Sequence, residues 1–274
     1  MGTITPGTLP PGTLYGIGTG PGDPELMTLK AVRLLRACPV VAYFAKRGGP
    51  GQARRIAASH LDGTHEEVPM VYPVTTELPP DSPAYAAAIE GFFDEQAERL
   101  AAFLAAGKSV AVLNEGDPFF YGSYMHLHLR LAHRFRVEVV PGVPSILGCA
   151  AQLPIPLTIR DDVLSVIPGT LGEVELAAAL GRADAAAVMK LGGNLPKVRR
   201  VIESLGLTHR AWYVERGTTE TQRVHPLAQA PDVAPYFAMI LIPGQGKRGG
   251  VLTAPQAAKS EAAKSEVAKS EVAE

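Results

Sequence analysis

The chain has 274 residues, 46% of them hydrophobic and 19% charged, with a formal net charge of −1. That is an ordinary globular composition, long enough for one large or two small domains. It offers no basic excess for nucleic acid and no charged arm for a membrane surface. The two cysteines, Cys38 and Cys149, are too few for a disulfide framework. They read as small buried hydrophobes in a reduced, cytoplasmic chain.

Residues 1–12 are rich in Pro, Gly and Thr and are expected to be unstructured. They carry neither a basic n-region nor an apolar h-region, so no signal peptide is read there. A strand is expected over Thr13–Ile17, followed by the loop GIGTGPGDPE, Gly16 to Glu25. Next, Thr28 reads as the N-cap of a helix whose Leu29, Val32 and Leu35 fall near helical spacing. PVVAYF, 39–44, predicts a buried strand, and the Ala-rich stretch 84–106 predicts a long amphipathic helix stopped by Gly107. SVAVLNEG, a helix near 122–134 and the strand VEVV follow. Strands alternating with helices imply a parallel, helix-covered sheet.

The second half reads differently. DVLSVIP and AAAVMKL predict strands flanking a helix near 172–181, and Asn194 reads as the cap of LPKVRRVIESL, which ends at Gly206. AWYVER and YFAMILIP are then joined by a connection too short for a comfortable crossover helix, so a mixed sheet is expected. The expected domains are 13–158 and 159–250, both α/β, followed by a low-complexity tail, 251–274, with AKSE repeats.

The first loop does not bind like a dinucleotide turn. Pro21 stands where G-x-G-x-x-G needs its third glycine, Pro24 interrupts again, and no acidic residue follows about twenty positions on. The loop allows close approach but offers few phosphate donors. A tight turn with no ligand fits it equally well. Two further strand ends, LNEGDPFFYG and VVPGVPS, share its glycine/proline character. Ligands of open parallel sheets lie outside the carboxyl ends of the strands, so three such turns outline one cleft. Asp117 is an acceptor and a poor neighbour for phosphate. A cationic, phosphate-free adenosine ligand suits these turns. His126, His128 and His133 lack metal-ligand spacing, and no metal is expected.

GIGTGPGDPELMTLKA, EGDPFFYG, VVPGVPS, VMKLGG and VERGTTETQRV occur in the order found in tetrapyrrole methylases, which the chain resembles over roughly 13–244. Within that family EGDPFFYGSYMHL, DDVLSVIPGT and MKLGGNLPKV are most similar to the branch that methylates C-20 of precorrin-2; relatives acting on uroporphyrinogen usually read GGDP. The resemblance implies a two-domain fold with S-adenosyl-L-methionine in the cleft between the domains, and a homodimer. It implies methylation of precorrin-2 to precorrin-3A in corrin synthesis. Alternatives are a sister enzyme acting at another ring carbon or on cobalt-factor II, a nicotinamide oxidoreductase, or a non-catalytic tetrapyrrole carrier.

Carried over by motif position, Pro21 walls the cleft, and Gly116 and Asp117 touch the cofactor with Phe120 and Tyr121 nearby. Pro144 and Ser145 stand where the family often has Thr-Ala or Ser-Ser, and Pro144 removes one backbone donor. Met189 and Gly217 match positions close to the adenine. Sulfonium methyl transfer needs no protein nucleophile; Glu115, Tyr121 and Glu215 are the candidates for removing a proton. Each has a plainer reading, in packing or in holding a loop. The substrate's carboxylates call for cations. Lys46, Arg47, Arg160, Lys190, Arg216, Arg223, Lys247 and Arg248 lie near strand ends or loops, and Lys190 and Arg216 sit inside the motifs.

Overall fold

A computed structural model of the chain describes residues 9–73 and 82–246. Lys247, Arg248, the AKSE tail and the first eight residues lie outside them. The described chain forms two compact units. One runs to Pro154 and includes Val214–Val224; the other comprises Ile155–Tyr213 and the residues from His225 onward.

The first unit holds five strands, β1 (Thr13–Gly18), β2 (Val40–Ala45), β3 (Glu66–Val71), β4 (Val110–Asn114) and β5 (Arg136–Val140). They form one parallel sheet in the order β3-β2-β4-β1-β5. Its helices are α1 (Leu29–Ala37), α2 (Gln52–Ile56), α3 (Pro83–Ala105), α4 (Tyr124–Leu131) and α5 (Ser145–Ala150). Side chains alternate across the sheet. Leu14, Val40, Ala42, Val110 and Val112 pack with Phe92, Phe93, Leu100, Leu127 and Leu131 of α3 and α4. Tyr15, Ile17, Val41, Ala111 and Leu113 pack on the other face with Leu34 and Leu35 of α1 and Ile56 of α2. Each large aliphatic side chain buried there contributes about 1.5–3 kcal/mol. The helix after β1 and the helix after β4 therefore cover opposite faces, although the two strands are neighbours. That reversal is a topological switch point, where ligands of such sheets bind.

Local signals explain the helix ends. Thr28 Oγ1 accepts from Ala31 N at 3.1 Å, and Ser82 Oγ accepts from Tyr85 N at 3.2 Å. Gly107 ends α3 with φ 78°. The apolar stripe of α1 is Ala31, Leu34 and Leu35; Leu29, expected on that face, is 90% exposed because it opens the first turn. Residues 9–12, expected to be unstructured, are tied to the end of α3. Gly12 N donates to Gly107 O at 3.0 Å, and Pro10 O accepts from Ser109 Oγ at 2.8 Å. β3 gives little sequence signal because it holds Pro69, which only an edge strand tolerates.

The second sheet comprises β6 (Leu164–Pro168), β7 (Ala185–Met189), β8 (Trp212–Glu215), β9 (Arg223–Pro226) and β10 (Ala238–Ile242). Its order is β6-β7-β10-β8-β9. β6 runs parallel to β7 and β10 antiparallel to it, so the sheet is mixed as expected. Leu176 and Leu180 of α6 (Glu173–Arg182) and Val198 and Ile202 of α7 (Leu195–Ser204) pack with Val188, Tyr213 and Ile240. Asn194 occupies the N-cap of α7 without capping it; its Nδ2 donates back to Lys190 O at 3.3 Å. β9 lies in the short connection between AWYVER and YFAMILIP. No helix among the described residues is long and apolar enough to cross a membrane.

Candidate active site

The carboxyl ends of β1, β4 and β5 bring their turns into backbone contact. Gly20 and Gly116 form an antiparallel bridge, in which Gly116 N donates to Gly20 O at 2.8 Å. A Cβ on Gly18 would stand 2.5 Å from Gly142 N and 2.7 Å from Gly116 O, and one on Gly142 would collide with Gly116 O. Glycine is required at both positions by this close approach. Gly16 has a different role, since a Cβ there would strike the ring of the fully buried Tyr124. The alternating glycines thus seat a ring and let three main chains meet.

Asp117 joins two of these turns. Its Oδ1 accepts from Phe119 N at 2.9 Å and its Oδ2 from Gly142 N at 3.1 Å. The sequence suggests a carboxylate free for a ligand; the structure gives it a holding task as well. Beside it Gly116 adopts φ 64°, and its Cβ position lies 3.6 Å from Pro144 Cα. Pro144 occupies the N-cap of α5, and Ser145 opens that helix. Phe120 packs edge-on against Tyr121 at 5.0 Å between ring centroids. Tyr121 is 49% exposed and held at φ 55°.

Glu115 Oε1 accepts from Ala53 N at 3.2 Å, at the start of α2. Protein crowds this carboxylate on most sides although the residue keeps an open face. The resulting desolvation raises its pKa above the ordinary carboxylate value, partly offset by the backbone amides that donate to it.

The segment after β8 closes onto the same turns. Pro21 rests against Gly148 of α5, where an added Cβ would lie 2.6 Å from its Cγ. Asp23 N donates to Thr218 Oγ1 at 3.3 Å, and a Cβ on Gly217 would lie 2.5 Å from Cys149 Sγ. Cys149 is therefore the small buried hydrophobe expected, and burial pushes its thiol up to about 12. Glu215 is buried, with Arg216 Nη1 at 3.6 Å from its Oε1.

Pro21, Glu115, Gly116, Asp117, Phe120, Tyr121, Pro144, Ser145, Glu215, Arg216 and Gly217 thus all belong to the first unit. Met189 and Lys190 belong to the second, at the end of β7, where Met189 O accepts from Gly169 N at 2.7 Å. Among the described residues, the non-glycine positions with positive φ are Tyr121, Arg160, Lys190, Arg216 and Thr218. Each conformation of this kind costs about 1–3 kcal/mol and persists where the surroundings over-determine it. Four of them lie in the EGDPFFYG, VMKLGG and VERGTTETQRV motifs, a concentration no propensity rule foretells. Sequence reasoning also missed Thr19 and Asn114, the buried polar residues beneath the turns.

The histidines of α4 do not form a metal cluster. His126 stacks on Phe93 at 4.1 Å, and His128 meets the ring of Phe119 at 4.8 Å. Desolvation lowers the His126 pKa. The donor set of the turns suits S-adenosylmethionine. Glu115 and Asp117 place carboxylates at these turns, Pro21 and Pro24 have no N–H to offer a pyrophosphate, and glycines clear the main chain for close approach.

Comparison with known proteins agrees with this chemistry. Residues 13–231 match the tetrapyrrole (corrin/porphyrin) methylase family. A precorrin-2 C(20)-methyltransferase of Sinorhizobium sp is 52% identical over 234 residues, 85% of this chain and 96% of that protein. A cobalt-precorrin-2 C(20)-methyltransferase of Salmonella typhimurium is 30% identical over 84% of this chain and 96% of its own length. The uroporphyrin-III C-methyltransferase of Thermus thermophilus, solved with S-adenosyl homocysteine, superposes with a TM-score of 0.59 at 28% identity. That match covers 86% of this chain and 99% of the solved one.

Proposed function

Because this chain belongs to the tetrapyrrole (corrin/porphyrin) methylases, we propose that it methylates carbon 20 of precorrin-2 with S-adenosylmethionine, giving precorrin-3A in corrin biosynthesis. The observation that carries this reading is the 52% identity to a precorrin-2 C(20)-methyltransferase across 96% of that enzyme. Glu115-Gly116-Asp117-Pro118 at the switch point supports it, since the sequence places an acidic residue where uroporphyrinogen methylases usually have glycine.

When bound, the cofactor supplies an activated methyl group on a sulfonium, with a neutral thioether as the leaving group. The protein's task is orientation, worth about 7–11 kcal/mol in favourable systems. In this reading the turns bearing Pro21, Gly116, Asp117, Phe120, Tyr121, Pro144 and Ser145 line the cofactor, with Met189 and Gly217 beside the adenine. Lys190 and Arg216 meet carboxylates on the macrocycle rim. Methylation forms a carbon–carbon bond at the meso carbon, which then loses its proton. Glu115 is the favoured acceptor for that proton, because its raised pKa makes it a stronger base than an ordinary carboxylate. Tyr121, exposed at the tip of the turn, is the second candidate. Glu215 lies beside Arg216 and is assigned to holding that arginine.

The metal-free ring is the favoured substrate, because identity falls from 52% to 30% between the precorrin-2 and cobalt-precorrin-2 enzymes. A cytoplasmic homodimer completes the reading. The free thiols Cys38 and Cys149 agree with a reducing compartment, and sedimentation measures the dimer. The test of function is incubation with precorrin-2, metal-free or cobalt-loaded, and methyl-labelled S-adenosylmethionine, followed by NMR of the product. Label on C-20 of the metal-free ring is expected. Label on another ring carbon overturns the regiochemistry, and preference for the cobalt ring overturns the substrate choice.

A further inference from the structure

We propose that Asn114 is the positioning residue of this site, a single buried side chain that sets the shape of the turn carrying Glu115, Gly116, Asp117 and Tyr121. The inference rests on the cofactor reading above. Asn114 ends β4 at the switch point and is 4% exposed. Its Nδ2 donates to Glu115 O at 2.7 Å and to Asp117 O at 3.2 Å. Its Oδ1 accepts from Tyr124 N at 3.3 Å. One amide thereby joins the start of the turn to the first residue of α4. Of the residues between, Glu115, Phe119 and Tyr121 are exposed, Tyr121 in its strained conformation.

The main chain of Asn114 holds the neighbouring turn as well. Its carbonyl accepts from Thr19 N at 2.9 Å and from Thr19 Oγ1 at 3.1 Å. Thr19 is fully buried and immediately precedes the Gly20–Gly116 bridge. The fit is tight on the far side, because a Cβ on Gly122 would stand 2.5 Å from Asn114 Nδ2. This geometry excludes the usual replacements. Aspartate turns two donations into repulsion between a carboxylate and two carbonyls. Leucine leaves all three main-chain partners without this side chain. Glutamine is one methylene too long for the space against Gly122.

Asn114 acts through the turn, so its effect is read in ligand affinity. The test is calorimetric titration of the full chain with S-adenosylhomocysteine at pH 8 and pH 6, comparing wild type with N114D and G122A. At pH 8, N114D is expected to bind about tenfold more weakly than wild type, the equivalent of one buried hydrogen bond. At pH 6 the deficit shrinks, because a carboxyl in a buried site keeps a proton that it donates to Glu115 O. Affinity is read per folded protein, with the folded fraction of each variant measured at both pH values, so a loss of stability alone does not move it. G122A keeps Asn114 but pushes its amide aside, and it too is expected to bind about tenfold more weakly. G122A also carries the test should N114D fail to fold. Wild-type affinity in G122A, or an N114D deficit equal at both pH values, overturns the proposal. Failure of wild type itself to bind S-adenosylhomocysteine overturns the cofactor reading instead.

Discussion

The two sheets differ in strand polarity, and the turns at their ends differ accordingly. In the first unit β1, β4 and β5 run parallel, so their carboxyl ends share one edge. Three turns meet there, close enough that Gly18, Gly116 and Gly142 touch through their main chains. In the second unit β6 runs parallel to β7 but β10 runs against it, so β7 and β10 end at opposite edges, and the interior is an aliphatic cluster around Leu176, Val188 and Ile202. Three of the five strained residues among those described, Tyr121, Arg216 and Thr218, lie in the first unit, where each turn braces its neighbours; Arg160 and Lys190 lie in the second. The carboxyl edge of the parallel sheet is where the turns of the candidate site meet, and the cluster around Leu176 serves packing.

Two substitutions of comparable cost separate these roles. Gly142→Ala forces a Cβ against Gly116 O, and Leu176→Ala empties a fully buried position. Each is expected to lower unfolding free energy by about 3 kcal/mol in denaturant titrations. Gly142→Ala alone should also weaken S-adenosylhomocysteine binding by the folded protein. Equal affinity in the two variants breaks the comparison.

Asp117→Ala comes next. Its carboxylate is bonded to Phe119 N and Gly142 N, so about 1.5–3 kcal/mol of stability is expected to go with it, together with cofactor affinity. Unchanged affinity removes Asp117 from the site and leaves it a loop brace. Arg216→Met and Lys190→Met are expected to raise KM for the tetrapyrrole about tenfold while S-adenosylhomocysteine affinity stays put. Movement of the cofactor affinity instead reassigns those cations.

The smallest effect is a contrast in pH dependence within the first unit. The Arg54 guanidinium, bonded to Glu67 at 2.7 Å, holds that carboxyl below its usual value, and burial lifts Glu115. Glu67 therefore adds stability above the ordinary carboxylate range, lost as pH falls through its depressed pKa. Glu115 does the reverse: its contribution is full below the ordinary value and declines as pH rises through its elevated pKa. Glu115→Gln should thus gain stability at neutral pH and Glu67→Gln should lose it, each by about 1 kcal/mol or less. Thermal melts at pH 4 and pH 7 measure both, and changes of the same sign contradict the assignment.

Much of this was legible in the sequence because local rules coincide with the fold. Thr28, Gly107 and the Ala-rich stretch 84–106 fix helix ends, and strand–helix alternation fixes a parallel sheet. The chemistry of the first loop was also readable, since Pro21 cannot donate to an anion. What stayed hidden depends on contacts distant in sequence. Gly16 looks like part of a phosphate turn until the ring of Tyr124 is placed over it. Asp117 looks free until Gly142, 25 residues on, is brought to it. Asn114 is hidden for another reason: its side-chain partners are only one, three and ten residues on, but they gather around it only once the turn is closed.

The most direct test of the central claim is a crystal structure of the protein with S-adenosylhomocysteine bound. The nucleoside should lie against the turns of residues 19–23, 115–122, 141–145 and 216–219, with Asn114 intact beneath them. A nucleoside bound elsewhere, away from the carboxyl edge of the parallel sheet, contradicts the account.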